Sequence, residues 1–214
     1  LLVASASTAV VGMQRYRQSV EDWDLHFTAW HQEVWKPVIT AVNGICAGGA
    51  FHWVADSDIV IAASDAQFFD PHVSVGQVVA IEAIGLIRRM PAEAVMRMAF
   101  VGKYERMSAQ RAYELGMVSQ IVDPPENLRE EAQKLAELVA KNSPTAMRYT
   151  KKALWGALEA GLTDSCKAGA QQLVVVGAGY IGLEAAACAR HLGLEVTVLE
   201  MADRPMNRVV APEL

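Results

Sequence analysis

Apolar residues recur along the chain in patterns that predict an α/β protein. Two short runs of β-branched residues, 38–42 and 58–63, predict buried strands. Between them, residues 43–49 predict a glycine-bearing turn that leads into a short helix. After the second run, an irregular loop ends in Asp-Pro-His at 70–72. A helix this short between two buried strands is typical of a functional site, so we expect the chemistry of the chain at residues 36–76.

Elsewhere, apolar residues spaced by threes and fours predict amphipathic helices. An aromatic stripe predicts the first of these, which Pro37 ends; Ser108 and Ser143 are predicted helix caps, and Gly116 a helix stop. The predicted helices cover residues 14–35, 91–101, 109–115, 127–141 and 144–159, and a further strand is predicted at 118–122.

The pattern changes after residue 160. Small polar residues at 161–170 predict a linker. A strand at 173–176, a G-x-G-x-x-G turn, a helix at 183–192 and a strand at 195–199 then predict a partial Rossmann βαβ unit. We therefore divide the chain into a domain at 1–160, a linker, and this unit at 171–214.

The G-x-G-x-x-G turn and the acid that follows it are a candidate dinucleotide site. The turn consists of Gly177, Gly179 and Gly182 with their intervening residues, and these glycines would approach a pyrophosphate. Glu200, at the end of the second strand, is placed to bind ribose hydroxyls, which favours NAD over NADP.

Composition narrows the classes of partner. The chain has 214 residues, of which 52% are apolar, and a net charge of -5. This charge argues against a nucleic-acid surface, and no uninterrupted apolar run approaches the ~20 residues that span a bilayer. The three cysteines have neither disulfide nor metal-ligand spacing. We therefore expect a soluble, cytoplasmic protein with no metal site and no nucleic-acid or membrane partner.

The candidate chemistry lies around the glycine turn. Backbone N–H groups at Gly48 and Gly49 could stabilise a developing oxyanion where the turn enters the helix. His52 follows within that helix, and His72 lies beside Asp70, which is placed to orient an imidazole. Each histidine alone is more typical of a hydrogen-bonded core position, whereas the pair near a glycine turn is equally compatible with a catalytic role. Glu82 is a further candidate acid or base, although a lone glutamate opening a helix is more typical of a protein surface.

The stretch 36–76 carries the pattern K-P-V-I-x-A-V-N-G-x-x-x-G-G, then D-x-x-I-A, A-x-F and a P-x-V loop closing on V-G. With the sequence up to about residue 168, it resembles the enoyl-CoA hydratase/isomerase, or crotonase, superfamily. The resemblance implies a repeated ββα core with C-terminal helices and an acyl-CoA substrate. It implies no cofactor beyond the CoA of that substrate, and a thioester enolate held by the N–H of Gly49. It also implies docking of the C-terminal helices in a homotrimer or hexamer.

The hydratases of that family carry glutamates where this chain has His52 and His72, so the resemblance leaves the reaction open. The family's second oxyanion N–H comes from an upstream loop, which we expect to precede this sequence or to survive only at residues 1–7. A catalytically inert assembly protein on the same scaffold is therefore an alternative. A second resemblance, at 171–214, rests on G-x-G-Y-I-G-x-E. It is to the NADH-binding module of FAD-dependent ferredoxin- and rubredoxin-type reductases, and implies NAD binding as another function.

Overall fold

The computed structural model describes residues 28–79, 81–171, 174–176, 180–191 and 196–199. The chain divides into two compact units, Leu1–Asn142 and Ser143–Leu214. Among the described residues, no helix has both the length and the apolar character needed to cross a bilayer.

The first unit twice repeats the order strand, strand, helix. Its strands are β1 Ile39–Val42, β2 Ile45–Ala47, β3 Ile59–Ala63, β4 Gln67–Phe69, β5 Met107–Ser108 and β6 Gln120–Val122. Its helices are α1 Phe51–Ala55, α2 Ile81–Leu86, α3 Ala92–Val101, α4 Ala109–Glu114 and α5 Leu128–Ala140. Short 3-10 turns at Gly48–Ala50 and Val73–Val75 follow β2 and β4.

Two small sheets support these helices. In one, β3 lies between β1 and β6, and both of its pairings are parallel. In the other, β4 pairs with β2 in parallel and with β5 in antiparallel orientation. The parallel pairs bring successive strand ends to a common edge, and this arrangement positions the candidate site.

The main core of the first unit holds α1 against α2. Phe51 and Val54 of α1, Phe68 of β4 and Leu86 of α2 are completely buried in it. At Gly85, an added Cβ would lie only 2.8 Å from the Cβ of Ala55, so α2 approaches α1 too closely for a larger residue.

Most predicted elements of the first unit are confirmed, with shifts of a few residues at their ends. Ser108 caps α4 as predicted, because its Oγ accepts a hydrogen bond from the N–H of Arg111. The predicted turn at 43–49 and the predicted loop before residue 70 each also contain a three-residue strand, β2 and β4. Strands this short carry too few positions for an alternating pattern to appear.

The helix predicted at 14–35 is wrong at its described end. Residues 28–33 form hydrogen-bonded turns, and Glu33 has a φ of 52°, a left-handed conformation that cannot continue a helix. Residues 14–27 of that prediction lie outside the described residues.

The described residues of the second unit form three helices and two strands: α6 Pro144–Gly156, α7 Leu162–Gln171, β7 Val174–Val176, α8 Tyr180–His191 and β8 Thr197–Leu199. Ser143 caps α6 as predicted, through a hydrogen bond from the N–H of Ala146. The segment 161–170, predicted to be a linker, is instead largely helical. Its small residues are compatible with a helix, and Asp164 in the first turn complements the helix dipole.

The strands β7 and β8 pair in parallel. Helix α8 lies between them in the sequence, which is the predicted order of strand, helix and strand. Gly182 lies in α8, whereas Gly177, Gly179 and Glu200 lie outside the described residues. A dinucleotide site in this unit therefore stays a prediction.

Candidate functional site

The register of β2 and β4 brings the glycine turn to the Asp-Pro-His loop. Ala47 is paired with Phe69, so the chain leaves both strands at the same edge, into Gly48 on one side and Asp70 on the other. Gly48 has a φ of 52°, and a Cβ added there would lie 3.5 Å from Cε1 of His72. The turn is therefore packed directly against the loop.

Gly49 is the middle residue of the 3-10 turn Gly48–Ala50, which continues directly into α1. It is partly exposed, whereas its two neighbours are buried. The first N–H groups of a helical segment have no acceptor within that segment. Such a position is compatible with an oxyanion-binding N–H, and the role of Gly49 as that donor stays a prediction.

Asp70 fixes the orientation of the His72 imidazole through the Nδ1 atom of the ring. Its Oδ1 lies 2.7 Å from Nδ1 of His72 and also accepts a hydrogen bond of 2.9 Å from the backbone N–H of the same residue. Asp70 is almost completely buried, whereas the His72 side chain is 21% exposed. With Nδ1 bonded to the carboxylate, Nε2 is the nitrogen that faces the rest of the site.

Glu82 lies between the two histidines. Its Oε1 is 3.2 Å from Nε2 of His52 and 4.0 Å from Nε2 of His72. The expectation that this residue lies on the surface is wrong, because Glu82 is only 3% exposed. The close packing at Gly85, one helical turn further along α2, turns this face of the helix towards α1 and so carries the carboxylate inwards.

The surroundings keep Glu82 ionised at neutral pH. Burial alone would raise its pKa, but the hydrogen bond with His52, a bond from the backbone and the charges of both histidines together lower the pKa below its ordinary value.

In the described part of the chain, no group of three or more His, Cys, Asp or Glu side chains is arranged to hold a metal ion.

A second imidazole–carboxylate pair lies behind His52. Thr28 donates a hydrogen bond of 2.9 Å to Asp56, and its hydroxyl is 2.7 Å from Nδ1 of His31. The ring of His31 is 6.5 Å from that of His52, centre to centre, in an edge-on arrangement. Burial raises the pKa of Asp56 despite these polar neighbours. Nothing in the sequence pattern indicated this pair, because its members belong to different elements.

Arg88 and Arg89, which follow α2, have different surroundings. Arg88 is exposed, whereas Arg89 is partly buried and its Nε donates a hydrogen bond of 3.0 Å to the carbonyl of Ala55. Arg89 thus binds the last residue of α1 and helps to fix the helix that carries His52. This contact gives Arg89 a structural role.

The family comparison covers most of the chain. The family model described as enoyl-CoA hydratase/isomerase matches residues 10–177. The chain belongs to this family. A second model, described as pyridine nucleotide-disulphide oxidoreductase, matches residues 172–214.

Enoyl-CoA hydratase/isomerase relatives agree with this assignment. The chain is 34% identical over 149 residues to the mitochondrial enoyl-CoA hydratase of Pongo abelii. The aligned residues cover 69% of this chain and 49% of that protein. It is 33% identical over 124 residues to the (E)-benzylidenesuccinyl-CoA hydratase of Thauera aromatica, covering 58% and 47% of the two chains. The crystal structure of an enoyl-CoA hydratase/isomerase from Mycobacterium paratuberculosis superposes with a TM-score of 0.63 at 46% identity, over 64% of this chain and 54% of that one.

The predicted resemblance to the enoyl-CoA hydratase/isomerase family and the crotonase-like α/β fold are therefore confirmed. The chain spans about half the length of these relatives. The comparisons do not test the roles of Gly49, His52, Asp70 and His72, so these stay predictions.

Proposed function

We propose that this protein acts on an acyl-CoA thioester and stabilises a thioester enolate at the N–H of Gly49. The observation that carries the proposal is the packing of the helical turn at Gly48–Ala50 against a loop whose imidazole, His72, is held by a buried carboxylate. An oxyanion donor beside an oriented proton carrier is what enolate formation at the carbon next to a thioester requires. Membership of the enoyl-CoA hydratase/isomerase family supports the same chemistry.

Within this proposal His52 and His72 take the places of the usual glutamate pair, but their tasks differ. His72 is the more exposed imidazole and its orientation is set by Asp70, so it is the group that exchanges a proton with the substrate. His52 is buried deeper and holds the carboxylate of Glu82. No cofactor is needed for this step beyond the CoA of the substrate.

A binding and turnover experiment tests the proposal. The purified chain is melted with a series of acyl-CoA thioesters and with free CoA, because a ligand at 100 times its dissociation constant stabilises a protein by about 2.7 kcal/mol. Turnover of 2-enoyl-CoA thioesters is measured in parallel, for the wild type and for the double variant His52→Ala/His72→Ala. We expect the acyl-CoA shift in both proteins and a loss of turnover of about 100-fold or more in the variant. Unchanged turnover in the variant would refute the roles of the two histidines.

We also propose that the C-terminal helices mediate a homo-oligomer, a trimer or hexamer. Apolar side chains on and after α6 support this, because Leu154, Leu158 and Leu162 are 66%, 50% and 82% exposed in the described unit. Light scattering of the eluted protein measures the state directly. An oligomer that neither binds nor turns over any acyl-CoA would instead favour the inert assembly protein.

A second candidate function, NAD binding at residues 171–214, is supported by the pyridine nucleotide-disulphide oxidoreductase match and by the parallel pairing of β7 with β8. Gly177, Gly179, Gly182 and Glu200 would hold the dinucleotide. Titration with NADH tests it, monitored by the fluorescence of the nicotinamide. Loss of binding on Glu200→Ala would support the assignment, and no saturable binding by the wild type would refute it.

A further inference from the structure

We propose that Glu82 is a catalytic carboxylate of this site and that it shares the reacting water with His72. The inference rests on the proposed function and extends it to hydration of a 2-enoyl thioester. The family resemblance implies glutamates at two positions, which here hold His52 and His72. The inference assigns the carboxylate that this replacement removes to Glu82, on a different helix.

The distances around Glu82 are compatible with one shared oxygen. Its Oε1 lies 4.0 Å from Nε2 of His72, beyond direct hydrogen-bonding distance. A water oxygen about 2.8 Å from both atoms would complete a triangle with an angle of roughly 90° at the water, which is close to the angle that a water molecule presents to two partners. One water can therefore contact both groups at once.

His52 sets the position of the carboxylate. Its Nε2 lies 3.2 Å from the same Oε1, from the side of α1. The titratable groups that face Glu82 are thus His52 from α1 and His72 from the loop after β4, with Asp70 behind the second imidazole. His52 acts as a positioning residue, since it lies deeper and already contacts the carboxylate.

The two groups have opposite tasks in the reaction. Glu82, whose pKa is lowered, can accept a proton. His72 is bonded to Asp70 through Nδ1 and presents Nε2, from which it can donate a proton.

The resulting step balances. The water oxygen forms a bond to the β-carbon of the thioester, and the released water proton moves to Glu82. The electron pair of the double bond moves towards the thioester carbonyl, which the N–H of Gly49 stabilises as an enolate. His72 then donates its proton from Nε2 to the α-carbon. Transfer of the proton from Glu82 to His72 restores both groups, and the reverse sequence is dehydration.

Two reactions separate the roles of these groups. Hydration of crotonyl-CoA needs both Glu82 and His72, whereas exchange of the α-protons of butyryl-CoA in D₂O needs only the group that serves the α-carbon. We expect Glu82→Gln to lower kcat for hydration by about 100-fold or more and to leave α-proton exchange within a few-fold of wild type. We expect His72→Gln to lower both rates.

Glu93→Gln is the matched control, because it makes the same change at an exposed glutamate in the first turn of the next helix. Both of its rates should equal those of the wild type. If Glu82→Gln does not fold, Glu82→Asp keeps the charge but withdraws it by one methylene, and it should show the same selective loss of hydration.

The outcomes distinguish this inference from the function on which it rests. Unchanged hydration in Glu82→Gln, or an equal loss of hydration and exchange in both Glu82 variants, would overturn the role of Glu82 while the proposed function stands. A wild type that catalyses neither reaction and binds no acyl-CoA would refute the proposed function and, with it, the role of Glu82.

Discussion

Replacing Gly85 by Ala should separate Glu82 from His52 without touching either residue. An added Cβ at position 85 would lie 2.8 Å from the Cβ of Ala55, whereas ordinary contacts between such atoms begin at 3.4 Å and extend to 4 Å. The helix α2 must therefore move away from α1 by roughly 0.6–1.2 Å. Glu82 lies on the same face one turn earlier, so its distance of 3.2 Å to His52 should grow to about 4 Å and the contact should weaken.

Two opposing effects set the change in the free energy of unfolding. Overpacking a core costs about 1–3 kcal/mol, whereas exchanging glycine for alanine within a helix contributes about 0.5–1 kcal/mol of stability. We expect a net loss of about 0.5–2 kcal/mol. The effect on hydration should be larger, about 10- to 100-fold in kcat, because a displacement near 1 Å at a proton-transfer site can cost that much.

The assay combines urea unfolding with the hydration rate of crotonyl-CoA. Gly156→Ala is the matched control, since position 156 ends α6 and a Cβ there would meet no atom within 4 Å. This control should keep its rate and should gain up to about 0.5–1 kcal/mol of stability, because it makes the same exchange without a clash. The double variant Ala55→Gly/Gly85→Ala removes the opposing Cβ and should recover most of the rate. Its new glycine lowers stability by about 0.5–1 kcal/mol and its new alanine raises stability by about the same amount, so the net change should be small.

The reasoning would be refuted by either of two results. Full hydration activity in Gly85→Ala would mean that the close packing of α2 on α1 does not position Glu82. A rate that stays low in the double variant would mean that the loss comes from something other than the contact between the two Cβ atoms.

Three further predictions concern the surroundings of the site. Gly102→Ala should lower both the stability of the fold and the rate of hydration. Gly102 has a φ of 66°, and a Cβ added there would collide with Ser74, which follows His72 by two residues. Circular dichroism melts and rate measurements test this prediction. The pKa of Glu82 is lower in the folded than in the unfolded protein, so the ionised carboxylate stabilises the fold above the unfolded pKa. This stabilisation is lost as the pH falls through the folded pKa. Urea titrations should therefore show a stability difference between wild type and Glu82→Gln that is constant at neutral pH and shrinks below about pH 4.5. Cys46, whose pKa burial raises to about 12, should resist thiol reagents at neutral pH in the folded protein, whereas the exposed Cys166 should react; equal labelling of both, followed by mass spectrometry, would contradict the packing.

The elements that sequence predicted well are those with strong local signals. Pro91 and Pro144 mark helix starts, and Ser108 and Ser143 provide the caps, so α3, α4 and α6 begin within a residue or two of their predicted positions. The buried strands β1 and β3 likewise follow from continuous β-branched runs. These signals depend on neighbouring residues alone, and they therefore need no knowledge of the fold.

The candidate site was only partly predictable, for a physical reason. Gly49, His52, Asp70 and His72 lie beside one another along the chain or across one strand pair, so motif spacing was enough to group them. The inward direction of Glu82 depends on a contact between α1 and α2, which β3 and β4 separate in the sequence. Its available signal was Gly85, a small residue one turn away on the same face, which indicates a close helix approach.

All the side chains proposed to move protons, and the oxyanion donor with them, come from the single stretch 48–82. A contiguous stretch can be inherited or exchanged as one piece of DNA, whereas a site gathered from distant segments needs several matched changes. The strands β1, β3 and β6 of one sheet contribute none of these side chains, but β3 lies within the stretch and is the central strand of that sheet. An exchanged segment would therefore carry a new chemistry and a new central strand together, and it would have to pair with the existing β1 and β6.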